Sequence, residues 1–114
     1  MPTPQKPGGP LSSQFAHDPE MAELVEMFVS ELPARMEALG TAWSGKNIAD
    51  LTRMAHQLKG ASAGYGFPTI GEAAGTLEHG LKALNATAAQ NAVESLAREY
   101  RALVDLCARA CQKP

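Results

Sequence analysis

The chain has 114 residues, a net charge of −2, and a composition that is 45% hydrophobic but only 5% aromatic. That is one small domain with a single core, packed mainly by Leu, Ala, Met and Val. The charge balance offers no basic face for nucleic acid or an anionic membrane. No apolar run nears the ~18 residues of a transmembrane helix, and the opening MPTPQKPGGP lacks the apolar stretch of a secretory signal. A soluble, cytoplasmic protein is expected, without nucleic-acid or membrane partners.

Residues 1–14 hold four of the eight prolines and two glycines and show no apolar periodicity. They read as a flexible tail, with the folded unit over 15–112. The first helix is expected to start at Asp18-Pro19, a cap followed by proline at the first helical position. Met21, Val25, Phe28, Leu32, Met36 and Leu39 form its apolar stripe. Pro33 falls inside this stripe and predicts one helix kinked there, because the ring removes a backbone hydrogen bond while the stripe continues in register. Gly40 and the segment Ser44 to Asn47 should end it, leaving Trp43 in the connecting loop, capping the bundle end.

Asn47 predicts the cap of a second helix, with Asp50 in its first turn and a stripe of Ile48, Leu51, Ala55, Leu58, Ser62 and Tyr65. Gly64 and Gly66 suit its stop. Phe67-Pro68 opens a third helix with stripe Ile70, Ala74, Leu77, Leu81 and Leu84. A fourth is expected from Thr87, with Gln90 completing a capping box and a stripe of Val93, Leu96, Tyr100, Leu103, Cys107 and Ala110. Nothing reads as a strand. Four amphipathic helices on short loops predict an all-α fold, an antiparallel up-down four-helix bundle. Cys107 and Cys111 lie four apart on the last helix, where geometry does not suit a disulfide between them. They read as small buried hydrophobes, and no metal site is predicted.

The segment Ala55 to Gly66, AHQLKGASAGYG, holds the residues that promise chemistry. With Leu51 at zero and about 100° per residue, Ala55, Leu58, Ser62 and Tyr65 fall within about 40° of the core direction, whereas His56 falls near 140°. His56 therefore belongs on the outer face of its helix. Arg53 and Thr52 lie one turn before it, Lys59 and Gly60 one turn after. Gly60 leaves bare backbone beside the imidazole, and Arg53 and Lys59 bring positive charge that suits an anion such as a phosphoryl group. A neutral imidazole nitrogen is a good nucleophile near neutral pH, and the N–P bond it forms is labile. No GxxxxGK[ST] or GxGxxG loop accompanies it. Ser62 reads as a small packing residue that bonds back to the backbone. His17 and His79 read as ordinary surface or boundary histidines.

The run His56-Gln57-Leu58-Lys59-Gly60-Ala61-Ser62, with Gly66 four residues on and Leu77-Glu78 in the next helix, resembles the H-x-L-K-G-x-S signature of histidine-containing phosphotransfer (Hpt) domains. The resemblance covers about residues 19 to 110. It implies a phosphorelay intermediate, a phosphocarrier and not an enzyme. His56 would take a phosphoryl group on Nε2 from an aspartate of a receiver domain or hybrid kinase and pass it to a response-regulator aspartate. Lys59 would hold the phosphoryl oxygens and Gly60 keep the approach clear. The chain would need no cofactor of its own, since the receiver brings Mg²⁺. Glu78 stands where many members have glutamine, and should orient the histidine or pair with Lys59. Docking would use the exposed face around His56, including Arg53 and Ala63, together with apolar residues of the first helix, Leu24 and Met27 foremost. A monomer is expected, since transfer needs His56 open. Two alternatives share the bundle: a module that docks on a receiver without carrying phosphate, and a phospho-accepting module of a chemotaxis-type kinase. An unrelated metal or enzyme bundle would show inward-facing carboxylate pairs or ExxH motifs, which the stripes lack.

Overall fold

The computed structural model describes residues 11–87 and 90–112, and the side chains of all of these except 85–87 and 90–92. Among the described residues there are four α-helices and no strand: α1 (Ala22–Ser44), α2 (Ile48–Gly64), α3 (Pro68–Thr87) and α4 (Ala97–Ala110), with a 3-10 segment, Gln90–Leu96, before α4. α1 packs on α2 and α4, α3 packs on α2 and α4, and the most extensive interface is α2 against α3. None of the described helices is long and apolar enough to cross a membrane.

The stripes make the core. Phe28, Leu32 and Leu39 of α1, Leu51, Ala55 and Leu58 of α2, Ile70, Ala74, Leu77 and Leu81 of α3, and Leu103 and Cys107 of α4 are all buried. Burial pushes the Cys107 thiol up to about 12, with the neighbouring Cys111 adding to the effect. Cys111 is half-buried, its Sγ directed at the Val29 carbonyl at 3.9 Å, and both thiols are free.

α1 begins later than Asp18. The Asp18 side chain accepts the Glu20 N–H (2.9 Å), and its carbonyl accepts those of Met21 and Ala22. It thus closes a turn that leads into the helix. The helix runs through Pro33 and past Gly40, with Leu32 and Leu39 buried on either side of the proline. Gly40 stays helical, and a Cβ there would stand at ordinary contact distance, 3.6 Å, from the Tyr100 hydroxyl. Trp43 therefore lies in the last turn of α1 rather than in a loop, and stacks on Tyr100 of α4 with centroids 4.3 Å apart. Lys46, at φ 53°, makes the sharp turn into α2. Asn47 caps α2 as expected: its Oδ1 accepts the Asp50 N–H at 3.0 Å.

The fourth helix departs most from expectation. Thr87 ends α3 instead of capping α4, residues 88 and 89 lie outside the described set, and Gln90 opens the 3-10 segment. A Cβ on Gly80 would stand 2.6 Å from Leu96 Cδ2. The missing side chain lets the 3-10 segment lie down on α3 before α4 starts.

Of the expected tail, residues 1–10 lie outside the described set, and residues 11–14 are bonded to the fold. Leu11 N–H donates to the Arg109 carbonyl (2.9 Å), Ser13 Oγ to the Tyr65 carbonyl (2.6 Å), and Gln14 N–H to the Gly66 carbonyl (2.8 Å). These bonds form a strap from the end of α4 to the α2–α3 turn. Gly66 has φ +84°, and a Cβ there would run into Ser13 Oγ. Glycine is thus needed for the turn and for the strap alike.

Candidate functional site

The core stripe of α2 turns Ala49, Arg53, His56, Gln57, Lys59, Gly60, Ala63 and Gly64 outward, and all are exposed. His56 is therefore on the open face, its side chain 68% exposed. The residue that meets it comes from α3. Glu78 follows the buried Leu77, so its Cβ starts at the edge of the core, and its side chain is only 5% exposed. Its Oε2 lies 2.8 Å from His56 Nδ1. Lys59 Nζ stands 3.5 Å from Oε1, and Lys82 Nζ, one turn further along α3, 3.2 Å from Oε2.

Burial opposes ionisation of Glu78, but the hydrogen bonds and charges of Lys82 and His56 outweigh it and hold the carboxyl below its usual 4.5. Glu78 is then a carboxylate at neutral pH and can only accept a hydrogen bond. The proton on the imidazole is assigned to Nδ1 from that partner. Nε2 is left with a free lone pair on the exposed ring. This arrangement presents a nucleophilic nitrogen outward, with its ring angle fixed from the buried side.

The expected site residues separate into groups. His56, Lys59 and Glu78 form one ionic cluster. Glu78 thus contacts both residues named for it, His56 and Lys59. Arg53 does not stand free beside the imidazole: it pairs with Asp50 at 3.2 Å, although it lines the same shallow cleft as Thr52, His56, Glu78 and Lys82. Gly60 leaves open space, since a Cβ there would meet nothing within 4 Å, and Ala63 is exposed on the same helix. Leu24 (43%) and Met27 (59%) are the exposed large hydrophobic residues among the described ones. They lie on α1 and form no part of the ionic cluster. Ser62 is fully buried, but its Oγ has no hydrogen-bond partner and does not bond back to the backbone. α3 crosses so near this part of α2 that a Cβ on Gly71 would lie 3.3 Å from the Lys59 carbonyl.

Lys82 is the site residue that the sequence reading missed. Its signal was the four-residue step from Glu78, which gains meaning only once Glu78 is known to face His56. Among the described residues no three His, Cys, Asp or Glu side chains are grouped to hold a metal ion.

The Hpt domain family model matches residues 23–112. No curated protein and no solved structure matches the chain. The family match spans α1 to α4 and takes in every member of the cluster around His56, and so the chain belongs to the Hpt domain family, whose members carry phosphoryl groups in phosphorelays and are not catalysts.

Proposed function

We propose that the protein accepts a phosphoryl group on His56 Nε2 from an aspartyl phosphate of a receiver domain or hybrid kinase, and returns it to the aspartate of a response-regulator receiver. The observation that carries this reading is the exposed imidazole whose Nδ1 is held by buried Glu78 at 2.8 Å. The Nε2 lone pair attacks phosphorus, the bond from phosphorus to the aspartyl oxygen breaks, and the aspartate leaves as carboxylate. Nδ1 keeps its proton, and the positive charge that develops on the ring faces Glu78. The reverse attack by a receiver carboxylate cleaves the N–P bond.

Lys59 lies one turn from His56 and is the ligand for the arriving phosphoryl oxygens. Gly60 keeps the approach clear. Mg²⁺ belongs to the receiver, where it neutralises the phosphoryl oxygens in transfer. Arg53 and Ala63 beside His56, with Leu24 and Met27 on α1, form the docking face. The family and the neighbour order of the helices support an antiparallel up-down bundle; a bend of α1 at Pro33 is supported by the backbone hydrogen bond that a proline inside a helix removes. The protein acts as a cytoplasmic monomer, with a sensor or hybrid kinase upstream.

The test is transfer from several purified receivers, phosphorylated on aspartate with Mg²⁺ present, to the wild type and to His56→Gln. Acid-labile, base-stable label on the wild type alone is the expected result. A folded wild type that takes no label from any receiver would reject the reading.

A further inference from the structure

On α3, Gly71, Gly75, Glu78 and Lys82 follow at steps of four, three and four, one residue on from the buried stripe Ile70, Ala74, Leu77 and Leu81. This second stripe faces Lys59. A Cβ on Gly71 would stand 3.3 Å from the Lys59 carbonyl, and a Cβ on Gly75 would stand 3.3 Å from Lys59 Cδ and 3.8 Å from Cε. The lysine backbone thus rests on one glycine and its methylenes on the next, one turn before the carboxylate that its Nζ meets at 3.5 Å. Glycine is otherwise a poor choice in the interior of a helix, where alanine is favoured. No positive φ requires one at this position.

We propose that Gly75 is a positioning residue for Lys59. Its missing side chain is a seat for the lysine stem, which rests on α3 and directs its ammonium to Glu78 beside the imidazole while the side chain stays 54% exposed. A lysine seated in this way has less rotamer freedom left to lose when phosphoryl oxygens arrive on Nε2. The inference rests on the reading of His56 as acceptor and Lys59 as phosphoryl ligand.

A methyl group at this position requires its neighbour to give by a few tenths of an ångström. That neighbour is a flexible stem, so the backbone stays in place and the lysine moves. Gly75→Ala should therefore fold with a melting midpoint no lower than the wild type, helped by helix propensity. Its transfer rate should fall roughly 3- to 10-fold, short of the ~10²-fold associated with a 1 Å misplacement. Gly75→Leu, which fills the seat, should fall further. In a Lys59→Ala background, Gly75→Ala should change the rate less than about twofold, because no stem remains to displace. Equal losses in both backgrounds, or wild-type rates in both Gly75 variants, would overturn the proposal. Carbon-13 relaxation of the Lys59 ε-methylene reads the same seat without any transfer: restricted in the wild type and free in Gly75→Ala. An ε-methylene as mobile in the wild type as in the variant overturns the proposal, whether or not His56 takes label. Absence of label on a wild type with a restricted methylene rejects the acceptor reading instead.

Discussion

Replacing Lys59 and Lys82 together by methionine tests what keeps the buried carboxylate of Glu78 charged. Methionine retains much of the stem, so contact with Gly75 survives and the two charges go. In the native protein burial raises the Glu78 pKa, while Lys82 and His56 bring it below 4.5 overall. A carboxyl with a folded pKa below its unfolded value stabilises the fold above the unfolded value. That contribution is lost as pH falls through the folded value. The Glu78 contribution is therefore complete at neutral pH and declines below about 4.5. Without the lysines, burial is opposed by His56 alone and the folded pKa rises from its lowered position. The stabilisation that Glu78 contributes at neutral pH shrinks accordingly, while in acid, where the carboxyl is protonated, double variant and wild type converge. The two lysine side chains are 54% and 63% exposed, so their own ion pairing adds little, and the loss comes from the 5% exposed Glu78 side chain left with His56 alone. A buried charged acceptor short of partners costs about 1–3 kcal/mol; with one bond kept, about 1–2 kcal/mol is expected at neutral pH. Glu78→Ala should cost less than the double variant, because the cations it releases return to water. Urea unfolding followed by Trp43 fluorescence, at a series of pH values, measures each case. A stability difference between double variant and wild type that does not change with pH would refute the reasoning.

Three further outcomes are expected. Ser62→Ala removes a buried hydroxyl that has no partner; it should leave stability unchanged or raise it by up to about 1 kcal/mol in urea unfolding. Gly66→Ala puts a side chain at φ +84° and against Ser13 and Phe15, so it should lower stability by about 1–3 kcal/mol and expose the strap to proteolysis. Leu24→Asp changes a side chain already 43% exposed; it should keep the melting midpoint within error while slowing transfer from receivers at limiting concentration, and an unchanged rate would remove Leu24 from the docking face.

The parts of this structure that could be read from the sequence are those set by local geometry. Leu51, Ala55 and Leu58 recur at the helical period, and that recurrence alone turns His56 outward. Asn47 and Asp50 close a cap within four residues, so their chemistry is complete in the sequence. The rest depends on contacts between distant segments. Ser13 binds a carbonyl 52 residues away, and nothing near Ser13 announces it. Leu96 packs into the space that Gly80 leaves on α3, a fact about the α3 surface rather than about residues 87–96. Gly40 reads as a stop but lies inside α1. Lys82 and Gly75 were visible as a step of four and a step of three from Glu78, but only the docking of α3 on α2 makes that face part of the site.

His56 and the buried acid that meets its Nδ1 sit on consecutive helices, 22 residues apart in the chain. Closing so short a loop costs little entropy, and contacts of this range form early in folding. The α2–α3 hairpin is thus expected to show high φ-values, with α1 and α4 adding their stripes later. Sequence change in the outer helices should then act on the unfolding rate and on how much folded protein a cell holds, while the angle of the imidazole is inherited from the hairpin alone.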